Sequence, residues 1–141
     1  GIVKSKLQGL GCQEINLDEW EDLRISLKIP SIVDYFGNLP GEMGMAALVS
    51  DEKGCYPGQE VHARMESRGR TVKNLFFLRG DGQLEVGKHK EPNLGTISVT
   101  SSSITDGSTN ALALIRIKDS NQDVLNIEGN EFTFEKIISP Y

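Results

Sequence analysis

Apolar residues change rhythm midway along this chain of 141 residues. Trp20, Leu23 and Leu27 recur at the spacing of one helical face, and Pro30 closes the run. Asn16 followed by Glu19 is the pattern of a reciprocally capped helix start, with Ile15 and Trp20 spaced as a hydrophobic staple. The stripe predicts a helix ending before Pro30 with Trp20 in the core. Residues 1–14 carry no strong pattern, and Gly37-Asn38 and Pro40-Gly41 mark turns in a mixed stretch. Met43, Met45 and Ala46 to Val49 form a short apolar run expected to pack beneath the loop that follows.

From Arg70 the texture becomes that of strands. Leu75-Phe76-Phe77-Leu78 is a continuous apolar run stopped by Gly80-Asp81-Gly82, and Ile97 and Val99 alternate with small polar residues. Leu112 and Leu114, then Ile115 and Ile117, fill one strand, and the break in their alternation predicts a bulge within it. Ser101-Ser102-Ser103 to Asn110 reads as a flexible loop. Residues 124–127 and 132–138 flank Gly129-Asn130, the signature of a two-residue hairpin turn. Phe132 and Phe134 then face one way and Glu131, Thr133 and Glu135 the other. Six or so short strands with Gly-rich turns predict a small antiparallel barrel, since closure removes exposed edges. The expected class is α+β: a helical segment with a loop, residues 1–69, followed by a small antiparallel β-barrel, residues 70–141.

Composition narrows the function classes. A net charge of −5 argues against a basic nucleic-acid footprint, so no direct nucleic-acid binding is expected. No apolar run approaches the roughly 18 residues of a membrane span, so no membrane association is expected either. The two cysteines, Cys12 and Cys55, are far apart and form no CxxC pair. No disulfide framework follows, which favours a reducing compartment. With no signal peptide legible, the expected location is the cytoplasm, or an organelle matrix in a eukaryote. The chain begins with Gly rather than Met, and its opening reads as the middle of an element. We expect Gly1 not to be a native start and an N-terminal portion to precede it.

The candidate chemistry centres on Lys53-Gly54-Cys55-Tyr56-Pro57-Gly58-Gln59-Glu60. Gly54 permits a sharp turn before the thiol, and Pro57 suits the first turn of a helix running from Gln59 to Arg68, with Gly69 as its stop. Cys55 thus precedes a helix N-terminus, where orphan N–H groups favour the thiolate and lower a thiol pKa from about 8.5 to roughly 3.5–7.5. The plainer reading is a small buried cysteine that only packs. Gln59 and Glu60 are expected to hold the loop by hydrogen bonds to its backbone. Cys12, Cys55, His62 and His89 are the soft donors available, and without a close ligand pair no resident metal is expected. No P-loop, dinucleotide fingerprint or Ser-His-Asp order is present.

The octapeptide, followed by Ala63-Arg64, resembles the signature of the YgfZ-type folate-binding proteins, relatives of the glycine-cleavage T-protein, an aminomethyltransferase. Leu23-Arg24-Ile25 with Ile29-Pro30 resembles that family's helix and Ile-Pro turn, and Leu39-Pro40-Gly41-Glu42 its Pro-x-Glu element. Gly69-Arg70, Gly95-Thr96-Ile97 with Thr100-Ser101, and Ala111 to Arg116 resemble the opening and strands of its C-terminal barrel. Lys28 departs from the pattern, which has Gly before Ile-Pro.

The resemblance implies that residues 1–69 complete a folate-binding, T-protein-like domain and that 70–141 form the barrel domain. It implies tetrahydrofolate as cofactor, with Lys53, Gly54, Tyr56, Gly58, Gln59, Glu60, Arg64 and Glu42 on the folate side. Glu42 then either partners Arg64 or contacts the pterin. The basic residues Lys53, His62, Arg64, Arg68, Arg70 and Lys73 form a solvated helix face or attract an anion such as a folate's glutamate tail. Function by resemblance is an accessory role in assembling or repairing iron–sulfur clusters, and in iron–sulfur-dependent tRNA modification, with Cys55 as the working thiol. Iron–sulfur client or assembly proteins would be the partners, and because clusters take four thiolates any cluster would be shared or transient. Two alternatives stay open: a tetrahydrofolate-dependent one-carbon transferase, which needs an acid from the preceding region, and a non-catalytic partner-binding barrel.

Overall fold

The computed structural model describes residues 1–38, 54, 60, 73–116 and 124–137. Three helices precede a six-stranded antiparallel sheet: α1 (Ile2–Gly9), α2 (Leu17–Ser26) and α3 (Ile32–Tyr35), then β1 (Lys73–Gly80), β2 (Gly87–Glu91), β3 (Gly95–Thr105), β4 (Ser108–Arg116), β5 (Val124–Ile127) and β6 (Asn130–Lys136). This is the α+β arrangement that the change of rhythm predicts. Helix α1, by contrast, forms where the sequence carries no strong pattern, and none of its residues is buried.

The start of α2 is built as its cap residues dictate. Asn16 Oδ1 accepts from the Glu19 amide at 2.9 Å, and Glu19 Oε2 accepts from the Asn16 amide at 2.7 Å. Its end is a Schellman turn. The Lys28 amide donates to the Ile25 carbonyl at 2.9 Å and the Ile29 amide to the Arg24 carbonyl at 2.7 Å. Lys28 takes the left-handed conformation this turn requires, with φ 60°. The departure from glycine at this position therefore leaves the turn intact, with a Cβ where glycine is usual.

The buried face of α2 differs from expectation. Trp20 and Leu23 are each 43% exposed and Leu27 58%, while Arg24 and Ile25 are buried. Trp20 is not a core residue. The helix is turned so that Ile25 packs with Leu75, Leu112 and Leu114 on the outer face of the sheet.

Strand order is β2-β3-β4-β1-β6-β5. Strands β3 and β4 form one long hairpin through Asp106-Gly107, both with positive φ, so the Ser-rich stretch 101–110 is strand and tight turn rather than a flexible loop. The β5–β6 turn is Glu128-Gly129, with Ile127 paired to Asn130, one residue earlier than Gly129-Asn130 suggests. The expected bulge also lies elsewhere. The register of β4 against β1 is continuous, and the shift falls in β3 between Val99 and Ser101. The unbroken apolar run of β4 has another cause: Ala111, Ala113 and Ile115 face the barrel interior, while Leu112 and Leu114 lie under Ile25.

Phe76, Leu78, Ile97, Val99, Leu125 and Phe132 fill the interior with the inward residues of β4. Edge strands β2 and β5 come together, curling the sheet towards closure. Side chains stitch this seam. Buried Glu91 accepts from the Asn93 and Leu94 amides at 2.7 Å each and from the Asn126 amide of β5 at 3.5 Å. His89 Nε2 donates to the Glu85 carbonyl, and Nδ1 lies 2.8 Å from Glu128 Oε1.

Candidate functional site

Of the residues singled out in the octapeptide and around it, Gly54 and Glu60 fall within the described structure. Gly54 is exposed, and Glu60 is exposed and helical, as the sequence predicts for that position. Lys53, Cys55, Tyr56, Gly58, Gln59, Arg64 and Glu42 lie outside the described residues, as do the apolar run 43–49 and the basic residues His62, Arg68 and Arg70. What the structure does define is the frame that carries this segment. Lys73 Nζ at the start of β1 donates to Asn38 Oδ1 at 3.3 Å. The chain therefore leaves the helical unit at residue 38 and rejoins the sheet at residue 73 within hydrogen-bonding distance of its departure.

A buried ion pair locks the helices to the sheet beside that point. Arg24 Nη1 donates to Asp34 Oδ2 at 3.0 Å and to the Ile29 carbonyl at 3.3 Å. Its Nη2 reaches Ser101 Oγ at 2.8 Å and also Glu21, and its Nε reaches Glu21 Oε1 at 2.8 Å. All five guanidinium donors thus have acceptors. The Asp34 carboxylate is likewise saturated. It accepts from Ser101 Oγ and Thr100 Oγ1, each at 2.6 Å, and from the Ser31 amide at 2.8 Å. Arg24 is held above its ordinary pKa, first by its hydrogen bond to Glu21 and then by the charge of Asp34, against the opposing effect of burial. The Tyr35 phenol is pushed up by burial and by the same Asp34 charge. With all five Arg24 donors and both Asp34 oxygens occupied, the buried part of this network is a structural joint. Local pattern shows Asp34 only as the acid of a Ser31-x-x-Asp34 helix cap; its role in the joint escapes such a reading, because Arg24 and Ser101 lie 10 and 67 residues away along the chain.

A second feature lies on the same outer face of the sheet. A concavity of about 710 Å³ is bordered by Lys88, Thr96, Ser98, Leu114, Arg116 and Lys73. Lys73 came from the sequence as part of a basic cluster; Lys88 and Arg116 did not, because they come together only through strand pairing. Among the described residues the lining carries cations, hydroxyls and an amide but no carboxylate and no aromatic ring. Among the described residues no group of three or more His, Cys, Asp or Glu is placed to hold a metal. No helix among them is long and apolar enough to cross a membrane.

No family model matches the chain. It is similar to proteins named tRNA-modifying protein YgfZ from several bacteria. The Aliivibrio fischeri protein is 30% identical over 153 aligned positions, which cover 98% of this chain and 47% of that protein. The Hamiltonella defensa protein is 28% identical over 127 positions, 81% of this chain and 38% of the relative. The Edwardsiella ictaluri protein reaches 41% over 71 positions, 46% of this chain and 21% of that protein. The chain spans less than half the length of each of these relatives.

Proposed function

Since the chain belongs with the YgfZ-type proteins, we propose that it is part of a folate-linked accessory factor that maintains iron–sulfur enzymes, those of tRNA modification among them. Residues 1–69 then belong to a folate-binding unit, and residues 70–141 form its barrel domain. Cys55 is the working thiol, and Lys53, Gly54, Tyr56, Gly58, Gln59, Glu60, Arg64 and Glu42 form the surroundings on the folate side. Bound tetrahydrofolate would supply one-carbon or redox chemistry at the pterin. The chain's own part is to hold one thiol ahead of a helix start, where it favours the anion able to bind iron or exchange with a client sulfur.

The observation that carries this reading is the octapeptide in a chain similar over nearly all its length to a protein named for tRNA modification. The frame is compatible with it: residues 38 and 73, which flank the segment that bears the thiol, lie within one hydrogen bond of each other. In a strain lacking its YgfZ-type protein, a full-length version with Cys55→Ala should fail to restore iron–sulfur enzyme activity and the dependent tRNA modifications at matched abundance. Full restoration would make the thiol a packing residue and overturn the reading.

A further inference from the structure

We propose that the groove on the outer face of β2, β3, β4 and β1 is a binding site for a small ligand bearing two or more clustered negative charges, phosphate or carboxylate. Strand register builds it. Lys88 pairs with Ser98, and Ser98 with Leu114, forming one row across three strands. Lys73 pairs with Arg116 two residues beyond Leu114, on the same face as Leu75 and Leu114. With strands about 4.8 Å apart and residues about 3.3 Å apart along each, Lys88 and Arg116 start roughly 12 Å from one another. Their long side chains close that distance to the span of a diphosphate or of two neighbouring carboxylates. Leu114 supplies an apolar floor, and Thr96 and Ser98 contribute hydroxyl donors.

Three observations point to a ligand rather than to a solvated face. The chain has 20 acidic and 15 basic residues, yet among the described residues three cations and no carboxylate line this groove. Lys88 and Arg116 make no ion pair or hydrogen bond among the described residues. The volume of about 710 Å³ lies in the range of roughly 300–1,000 Å³ usual for small-molecule sites. A small anion is favoured over a nucleic acid, because a net charge of −5 repels a long polyanion and three cations neutralise only a few phosphates. The site does not depend on the thiol or on the reading of its role.

Calorimetric titration of the chain at low salt, with pyrophosphate and separately with tri-γ-glutamate, tests this. Saturable one-to-one binding of at least one probe is expected. Binding of pyrophosphate alone identifies a phosphate ligand, and binding of triglutamate alone a carboxylate tail. Lys88→Gln combined with Arg116→Gln should weaken binding at least tenfold, whereas Lys6→Gln on α1 should leave it unchanged. Circular dichroism on the double variant separates lost binding from lost fold; if it unfolds, Lys88→Gln alone, on an exposed strand position, must still weaken binding at least threefold. Absence of saturable binding up to about 10 mM, or binding unchanged in the variants, overturns the proposal. So does a single-stranded RNA dodecamer that binds with steep salt dependence and is not displaced by either probe.

Discussion

Replacing Lys28 separates backbone strain from side-chain contact at a single position. Its φ of 60° places a residue with a Cβ in the left-handed region, a conformation that costs about 1–2 kcal/mol. Glycine avoids that cost but gives back about 0.5–1 kcal/mol through the greater freedom of the unfolded chain. At this turn glycine should therefore be better than alanine by about 0.5–1 kcal/mol. The lysine side chain offsets its own strain. Its Nζ pairs with Glu135 of β6 and lies 5.3 Å from the Phe77 ring centre. The ion pair is open to solvent, its side chains 40% and 64% exposed, and contributes no more than about 0.5 kcal/mol. The cation–π contact adds about 0.5–1 kcal/mol. Lys28→Ala keeps the strain and loses both contacts, so it should cost about 1 kcal/mol. Lys28→Gly loses both contacts and the strain together, and should stay within about 0.5 kcal/mol of the parent. In urea, with a slope of about 2 kcal/mol per molar, the alanine midpoint should fall by about 0.5 M and the glycine midpoint by less than half of that. Added salt should narrow the lead of the parent over glycine, because it screens the pair with Glu135. If alanine and glycine variants unfold at one midpoint, residue 28 does not occupy the left-handed turn and the reasoning fails.

The buried joint makes a larger prediction. Asp34→Ala strands Arg24 and should cost about 3–5 kcal/mol in urea unfolding, while Asp34→Ala with Arg24→Met should cost clearly less than the two single changes added together; strict additivity would show that the two residues do not interact. Glu21 is the exposed member of the network, half open to solvent, and Glu21→Ala should cost no more than about 1 kcal/mol. Tyr35 sets a pH limit. Its folded pKa is raised above 10.0, so its contribution is complete below pH 10 and is lost as pH rises through the folded value, because the half-buried phenol ionises more readily in the unfolded chain. Absorbance titration near 295 nm should show a late-ionising phenol among the three that Tyr35→Phe removes; if the phenol lost on substitution instead titrates together with the other two, the placement of Tyr35 beside Asp34 is contradicted.

What could be read in the sequence, and what could not, divides along physical lines. The cap of α2 was legible because Asn16 and Glu19 satisfy each other within one turn. Alternation in β6 was legible because one side of that strand faces the core, where Phe132 is buried. The hairpin at Asp106-Gly107 was hidden by its serines, although Asp-Gly is itself a turn signal. Strand β2, Lys88-His89-Lys90 between Gly87 and Glu91, has no apolar alternation and is held by the seam that Glu91 and His89 make. The buried face of α2 is not legible in apolar spacing, because its arginine has acceptors elsewhere in the chain.

That arginine gives the scattered family matches one physical meaning. Leu23-Arg24-Ile25, Ile29-Pro30 and Thr100-Ser101 lie far apart in sequence, yet Arg24 bonds the Ile29 carbonyl and Ser101, and Thr100 and Ser101 both bond the Asp34 that Arg24 pairs with. They are parts of a single joint between helices and sheet. Asn38, four residues beyond Asp34, is hydrogen-bonded to Lys73, so the two residues that flank the segment carrying the octapeptide lie together next to that joint. A thiol that must meet a client needs a fixed base more than it needs burial. Loosening the joint with Asp34→Ala should therefore impair the activity proposed for Cys55. If the variant stays folded and supports iron–sulfur enzymes as well as the parent, the joint serves stability alone.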